Sequence, residues 1–195
     1  MQGSNAKPDT LSIFVYLLYT GIVILFLGLS YGYISSLENA RWDDFNVPKI
    51  FWLSSVCVIT ISMLLNNMYR CYKKDALRVQ TRYISVTLFV AVAFVLCQIF
   101  GWMHLYTAGL TLTDTPAAGY IYVLSGLHAL HVLAGVVFLA VALIKVQKAG
   151  RDPVTILLYT SDASQATRLK LLTHYWHTID ALWLFIFFMV LYRHA

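Results

Sequence analysis

Formal charge is confined to clumps along this chain of 195 residues, and the gaps between the clumps limit what it can fold into. Thr10 to Leu37, Ile50 to Tyr69, Tyr83 to Thr113 and Thr115 to Ile144 contain no Asp, Glu, Lys or Arg. Leu171 to Tyr192 contains one such residue, Asp180. A helix needs about 20 mainly apolar residues to cross the hydrocarbon of a bilayer. Five such stretches leave little chain for anything else. The sequence therefore predicts an all-α bundle of five transmembrane helices, a single membrane domain over 1–195, with spans at about 11–36, 50–69, 83–106, 117–144 and 171–192. Composition agrees: 12% of residues are charged, against about a quarter in a soluble domain. With 10 Gly, 4 Pro and 3 Cys, collagen, disorder and a disulfide scaffold are excluded. Met1 to Asp9 is polar and the apolar run after it is too long for a signal core, so the first span is expected to stay in the mature protein.

The net charge of +5 is a matter of topology. Cutting the chain at the spans puts Lys7, Arg70, Lys73, Lys74, Arg78, Arg82, Lys145, Lys148, Arg151, Arg168 and Lys170 on one side. Only Arg41, Lys49 and Arg193 fall on the other. Eleven against three places the N-terminus in the cytoplasm and the C-terminus outside by the positive-inside rule. Nucleic acid is not an expected partner; anionic lipid is a secondary one. Tyr31, Tyr33, Trp42 and Trp52 are expected at the outer interface, and Tyr69, Tyr72 and Tyr83 at the inner one. Gly28 with Gly32 and Ser125 with Ala129 offer small-residue packing seams. The longest connector, Lys145 to Lys170, has room for a short helix. Cys57, Cys71 and Cys97 have no paired spacing and read as packing residues.

Candidate chemistry lies in the polar groups at membrane depth, which are costly there and invite a functional reading. The fourth span carries His128 and His131, and the fifth opens with His174, His177 and Asp180. A spacing of three puts each pair on one helix face. A bis-histidine haem needs imidazoles from two helices at one depth. Counting from span ends, His131 lies roughly 20 Å from the inner face and His177 only about 9 Å, a mismatch that disfavours it. A di-iron site needs several Glu, and the chain has one, Glu38. The other reading is interhelical hydrogen bonding, or contact with a partner subunit or lipid headgroup. A transporter would be expected to show broken helices in matching halves, and no span carries a central proline.

Several motifs in order resemble subunit III of the haem-copper respiratory oxidases. They are the run from Gln98 through Trp102, then Leu105, Tyr106, Gly109, Pro116, Tyr122, Gly126, His128, His131 and Gly135. Tyr175, Trp176, His177, Asp180, Trp183, Leu184 and Phe185 follow, and "FWLSS" opens a similar second span. The resemblance covers roughly residues 11 to 192. It implies an accessory subunit of an aa3-type cytochrome c oxidase in a bacterial plasma membrane, with no catalytic residue, haem or copper of its own. Those groups belong to the partner subunits: subunit I, which it contacts directly and which reduces oxygen and pumps protons, and subunit II. It further implies bound phospholipid. His128, His131, Tyr175, Trp176, His177, Asp180, Gln98 and Trp102 are then candidates for the lipid or subunit interface. A subunit-III-like protein of a quinol oxidase or nitric oxide reductase, or a haem-b anchor, is the alternative. One departure stands out. The family commonly buries a glutamate in the helix matching the first span, where this chain has Thr20 and Gly21 and no acid.

Overall fold

The computed structural model describes residues 10–37 and 49–194. Among these it contains six helices: α1 (Thr10–Leu37), α2 (Ile50–Tyr72), α3 (Leu77–Thr107), α4 (Pro116–Ala149), α5 (Pro153–Ser161) and α6 (Ala163–His194). All but α5 are long and apolar enough to cross a membrane. Trp42, Glu38 and most of the Leu37–Lys49 connector lie outside the described residues.

The helices run past the charge-free stretches. α3 begins at Leu77, ahead of Tyr83, and α6 begins at Ala163, eight residues before Leu171. The connector expected between Lys145 and Lys170 is almost wholly helical, because two Asp-led starts use it up. Asp152 accepts from the N–H groups of Val154 and Thr155, with Pro153 in the first turn of α5. Asp162 accepts from the Ser164 hydroxyl and N–H, which hold its carboxyl below the usual carboxylate range. Such side-chain oxygens satisfy the orphan N–H groups of a helix start. Thr115 does the same for α4, accepting from Ala118 N–H at 3.2 Å.

Turns close the other ends. Gly109, at φ +85°, ends α3 with Gly109 N–H to Tyr106 O and Leu110 N–H to Leu105 O, a paired motif that needs a left-handed residue. Asp75, at φ +55°, reverses the chain between α2 and α3.

α6 sits at the centre, packed against α1, α2 and α4, while α3 bridges α2 and α4. Close approaches come at Gly32 of the expected seam and at two glycines outside it. Gly101 admits the Phe51 ring, Gly32 the Tyr120 phenol, and Gly135 the Trp176 indole, whereas nothing lies within 4 Å of where a Gly28 side chain would start. Tyr33 and Tyr72, expected in the interfacial belts, are instead buried in the protein. Tyr31 and Trp52 are exposed.

Candidate functional site

The intramembrane polar residues are spread over several stations. The first joins α2 to α6. Ser62 Oγ donates to Asp180 Oδ2 at 2.6 Å and lies 3.0 Å from His177 Nδ1. A hydroxyl has one proton, so with that proton on the carboxylate contact we assign Nδ1–H of His177 as donor to Ser62. Asp180 is only 4% exposed, and its Oδ1 has no partner among the described residues.

A second station surrounds His128, which is 1% exposed. Its ring centroid lies 5.3 Å from Trp183, 5.6 Å from Phe94 and 6.5 Å from Phe26. Neither ring nitrogen has a partner among the described residues. His131, one turn along, shares the Phe26 neighbour at 5.9 Å. Its Nδ1 lies 2.7 Å from Leu127 O, a carbonyl that can only accept, so Nδ1 carries the proton. The Tyr175 hydroxyl donates to His131 O at 2.8 Å.

Further ties use indoles. Trp102 Nε1 donates to Ser125 Oγ at 3.0 Å and Trp183 Nε1 to Ser55 Oγ at 3.2 Å. The amide of Gln98 and Nε1 of Trp176 are buried without a partner among the described residues.

The expected depth mismatch of the histidines is corrected. His128 lies against Trp183 and Gly135 against Trp176, so seven residues along α4 match seven back along α6. That register puts His131 level with Asp180 and His177 level with Ala134, roughly 5 Å apart in depth. The two imidazoles are parted by facing different neighbours: His177 meets Ser62 of α2, and His131 meets Phe26 of α1 at 5.9 Å. Among the described residues, no three His, Cys, Asp or Glu side chains gather as metal ligands. Cys57 of α2 and Cys97 of α3, without paired spacing in the sequence, are neighbours across the two helices.

Ser55, Ser62, Ser125 and Tyr19 belong to these ties but carry no sequence signal. A serine in a membrane helix can satisfy itself on its own helix, as Ser54 does on Ile50 O. Only packing shows which serine serves a neighbour. Tyr19 of α1 donates to Leu171 O of α6 at 2.7 Å. It lines an apolar groove of about 370 Å³ between α1, α4 and α6, walled by Phe14, Leu18, Phe138 and Leu172 with Lys145 and Arg168 also on its lining.

Residues 41–195 match the family described as cytochrome c oxidase subunit III. The chain belongs to that family. It is 23% identical over 192 residues to cytochrome c oxidase subunit 3 of Corynebacterium diphtheriae, covering 94% of this chain and 88% of the relative. Cytochrome c oxidase subunit 3 of Bacillus subtilis is 27% identical over 182 residues, covering 90% and 82%. Quinol oxidase subunit 3 of the same organism is 23% identical over 189 residues, covering 94% and 87%. Five helices able to span a membrane and membership of a bacterial respiratory oxidase family make this a multi-pass plasma-membrane protein, a subunit III of the haem-copper oxidases.

Proposed function

We propose that this chain is the accessory subunit III of an aa3-type cytochrome c oxidase, with no redox centre or catalytic residue of its own. It packs against subunit I, stabilises it and supports its proton uptake, with the N-terminus in the cytoplasm and the C-terminus outside. The observation that carries this reading is what the polar groups do. Asp180, His177, Trp183, Trp102 and Tyr175 each meet a group on another helix. Groups used this way fix helix positions. Phospholipid fits the groove, whose apolar walls suit acyl chains and whose Lys145 and Arg168 suit a phosphate. A quinol oxidase is the second reading, favoured by relatives that bear both names at similar identity.

Asp180 supplies the test. Asp180→Asn keeps size and hydrogen-bonding capacity, so the subunit is expected to stay in the purified oxidase. Asp180→Leu leaves Ser62 without its acceptor, at a cost of about 1–3 kcal/mol. That variant is expected to lose subunit III or to shorten sustained turnover, with the initial oxygen-consumption rate of intact complexes unchanged. A complete, stable complex whose initial rate or haem spectrum collapses would put these residues in the chemistry and overturn the reading. Orientation is checked separately: a reporter active only outside the cytoplasm should give signal after Ala195 and none within Lys145 to Lys170.

A further inference from the structure

The short helix α5 has two unlike faces. Ile156 packs toward the core, and the Tyr159 hydroxyl lies 3.2 Å from Gln80 Nε2 and 3.4 Å from Gln165 Nε2, both amides donating. One helix face away, Val154, Leu157 and Leu158 are 64%, 69% and 64% exposed. Nothing else in the described chain covers them.

Two contacts fix the level of α5 in the bundle. The Tyr72 hydroxyl, at the last residue of α2, donates toward the carbonyls of Tyr159, Thr160 and Asp162 at 3.3, 3.5 and 3.1 Å. Gln80, in the first turns of α3, reaches Tyr159. α5 therefore lies at the ends of the spans, level with the α2–α3 turn and with the junctions to α4 and α6. At a span end the surrounding medium changes from acyl chain to headgroup. Three large aliphatic side chains on the rim of a membrane bundle match the apolar face of a helix lying in that boundary.

The charges on this rim have one dominant sign. Lys145, Lys148 and Arg151 precede α5 and Arg168 and Lys170 follow it, all exposed. Of the nearby acids, Asp152 and Asp162 are occupied in capping α5 and α6. An apolar edge between basic flanks is complementary to anionic lipid.

We propose that α5 is an in-plane membrane helix, with Val154, Leu157 and Leu158 seated among acyl chains and the flanking lysines and arginines holding anionic lipid headgroups. The surface adjoins the groove between α1, α4 and α6, which Lys145 and Arg168 also line, whereas Lys148, Arg151 and Lys170 are not on that lining; it stands whichever electron donor the oxidase uses.

The test uses the full chain in lipid vesicles, with Cys57, Cys71 and Cys97 changed to Ser and a fluorophore on Leu158→Cys. Vesicles contain brominated phosphatidylglycerol or brominated phosphatidylcholine at equal mole fraction, and aqueous iodide serves as the opposing quencher. Quenching by brominated phosphatidylglycerol is expected to exceed that by brominated phosphatidylcholine at least twofold, with iodide weak. Lys148→Gln with Arg151→Gln should abolish the difference while leaving bromine quenching itself. A fluorophore on Ser164→Cys, past the end of α5, reports that the chain is folded the same way. Quenching by iodide alone would mean the edge faces water and would overturn the proposal. Shielding from all three quenchers in the assembled oxidase would mean a protein covers the edge, and would overturn it equally. Equal quenching by the two brominated lipids would overturn the selection for anionic headgroups.

Discussion

α1 and α6 are both membrane spans, yet they are used in opposite ways. Half of the α6 span is buried inside the protein, against 17% of the α1 span. α6 is also the more polar of the two, carrying His174, His177, Thr178 and Asp180 where α1 has no charged residue or histidine. In water the more apolar helix would be the more buried. In a bilayer, lipid is as apolar as leucine, so polar side chains gain most by leaving lipid and drive a helix to the centre. Hydropathy identifies what can span; polarity identifies what is enclosed.

The comparison can be broken most sharply at its glycines. A methyl at Gly135 would sit 2.8 Å from the Trp176 ring and 3.2 Å from Tyr175, and Trp176 is 1% exposed with nowhere to move. Gly135→Ala should destabilise the bundle by about 1–3 kcal/mol through overpacking. Gly28→Ala meets nothing within 4 Å and should be neutral or slightly stabilising, since Ala is the better helix former. Melting temperatures of the two variants in one detergent decide the matter; equal shifts would mean that α1 and the α4–α6 seam do not differ.

A smaller effect, of opposite sign, is expected at His128. Both its nitrogens lack partners within a shell formed by Phe26, Phe94 and Trp183. His128→Leu is close in volume and removes the unpaired groups, so stability should hold or rise by up to about 1 kcal/mol. A marked fall would show that these nitrogens bind something, such as ordered water, that helps to hold the seam.

The most local expected effect concerns the hold on α1. Tyr19→Phe deletes the hydroxyl bond to Leu171 O, worth about 0.5–1.5 kcal/mol. Because α1 has few other enclosed contacts, the loss should appear locally, as faster amide exchange along α1 with α4 and α6 unchanged. Uniformly faster exchange would mean that α1 is as integral as α6.

Much of this molecule could be read before its structure. Four runs without charge and a fifth with a single acid, each long enough to cross hydrocarbon, left no other architecture open, and the ordered residues from Gln98 to Phe185 indicated the family. Helix ends were less legible. Hydropathy reports where lipid stops, whereas α3, α4 and α6 continue into the polar layer for as long as caps and backbone bonds sustain them. The candidate residues were legible as polar groups within charge-poor stretches, but their separation into stations was not visible. Nor were Ser55, Ser62 and Ser125, which look no different from serines that bond their own helix.

The sequence by itself determined what must lie in the membrane, because excluding charge from hydrocarbon is a local, additive demand that each segment meets alone. Only the tertiary structure decided which faces meet: His177 with Ser62 rather than His131, Trp176 in the notch at Gly135, Cys57 beside Cys97, and α5 level with Tyr72. Those pairings depend on the rotation and register of one helix against another. Both are set by the fit of many side chains at once, and no single segment carries that information.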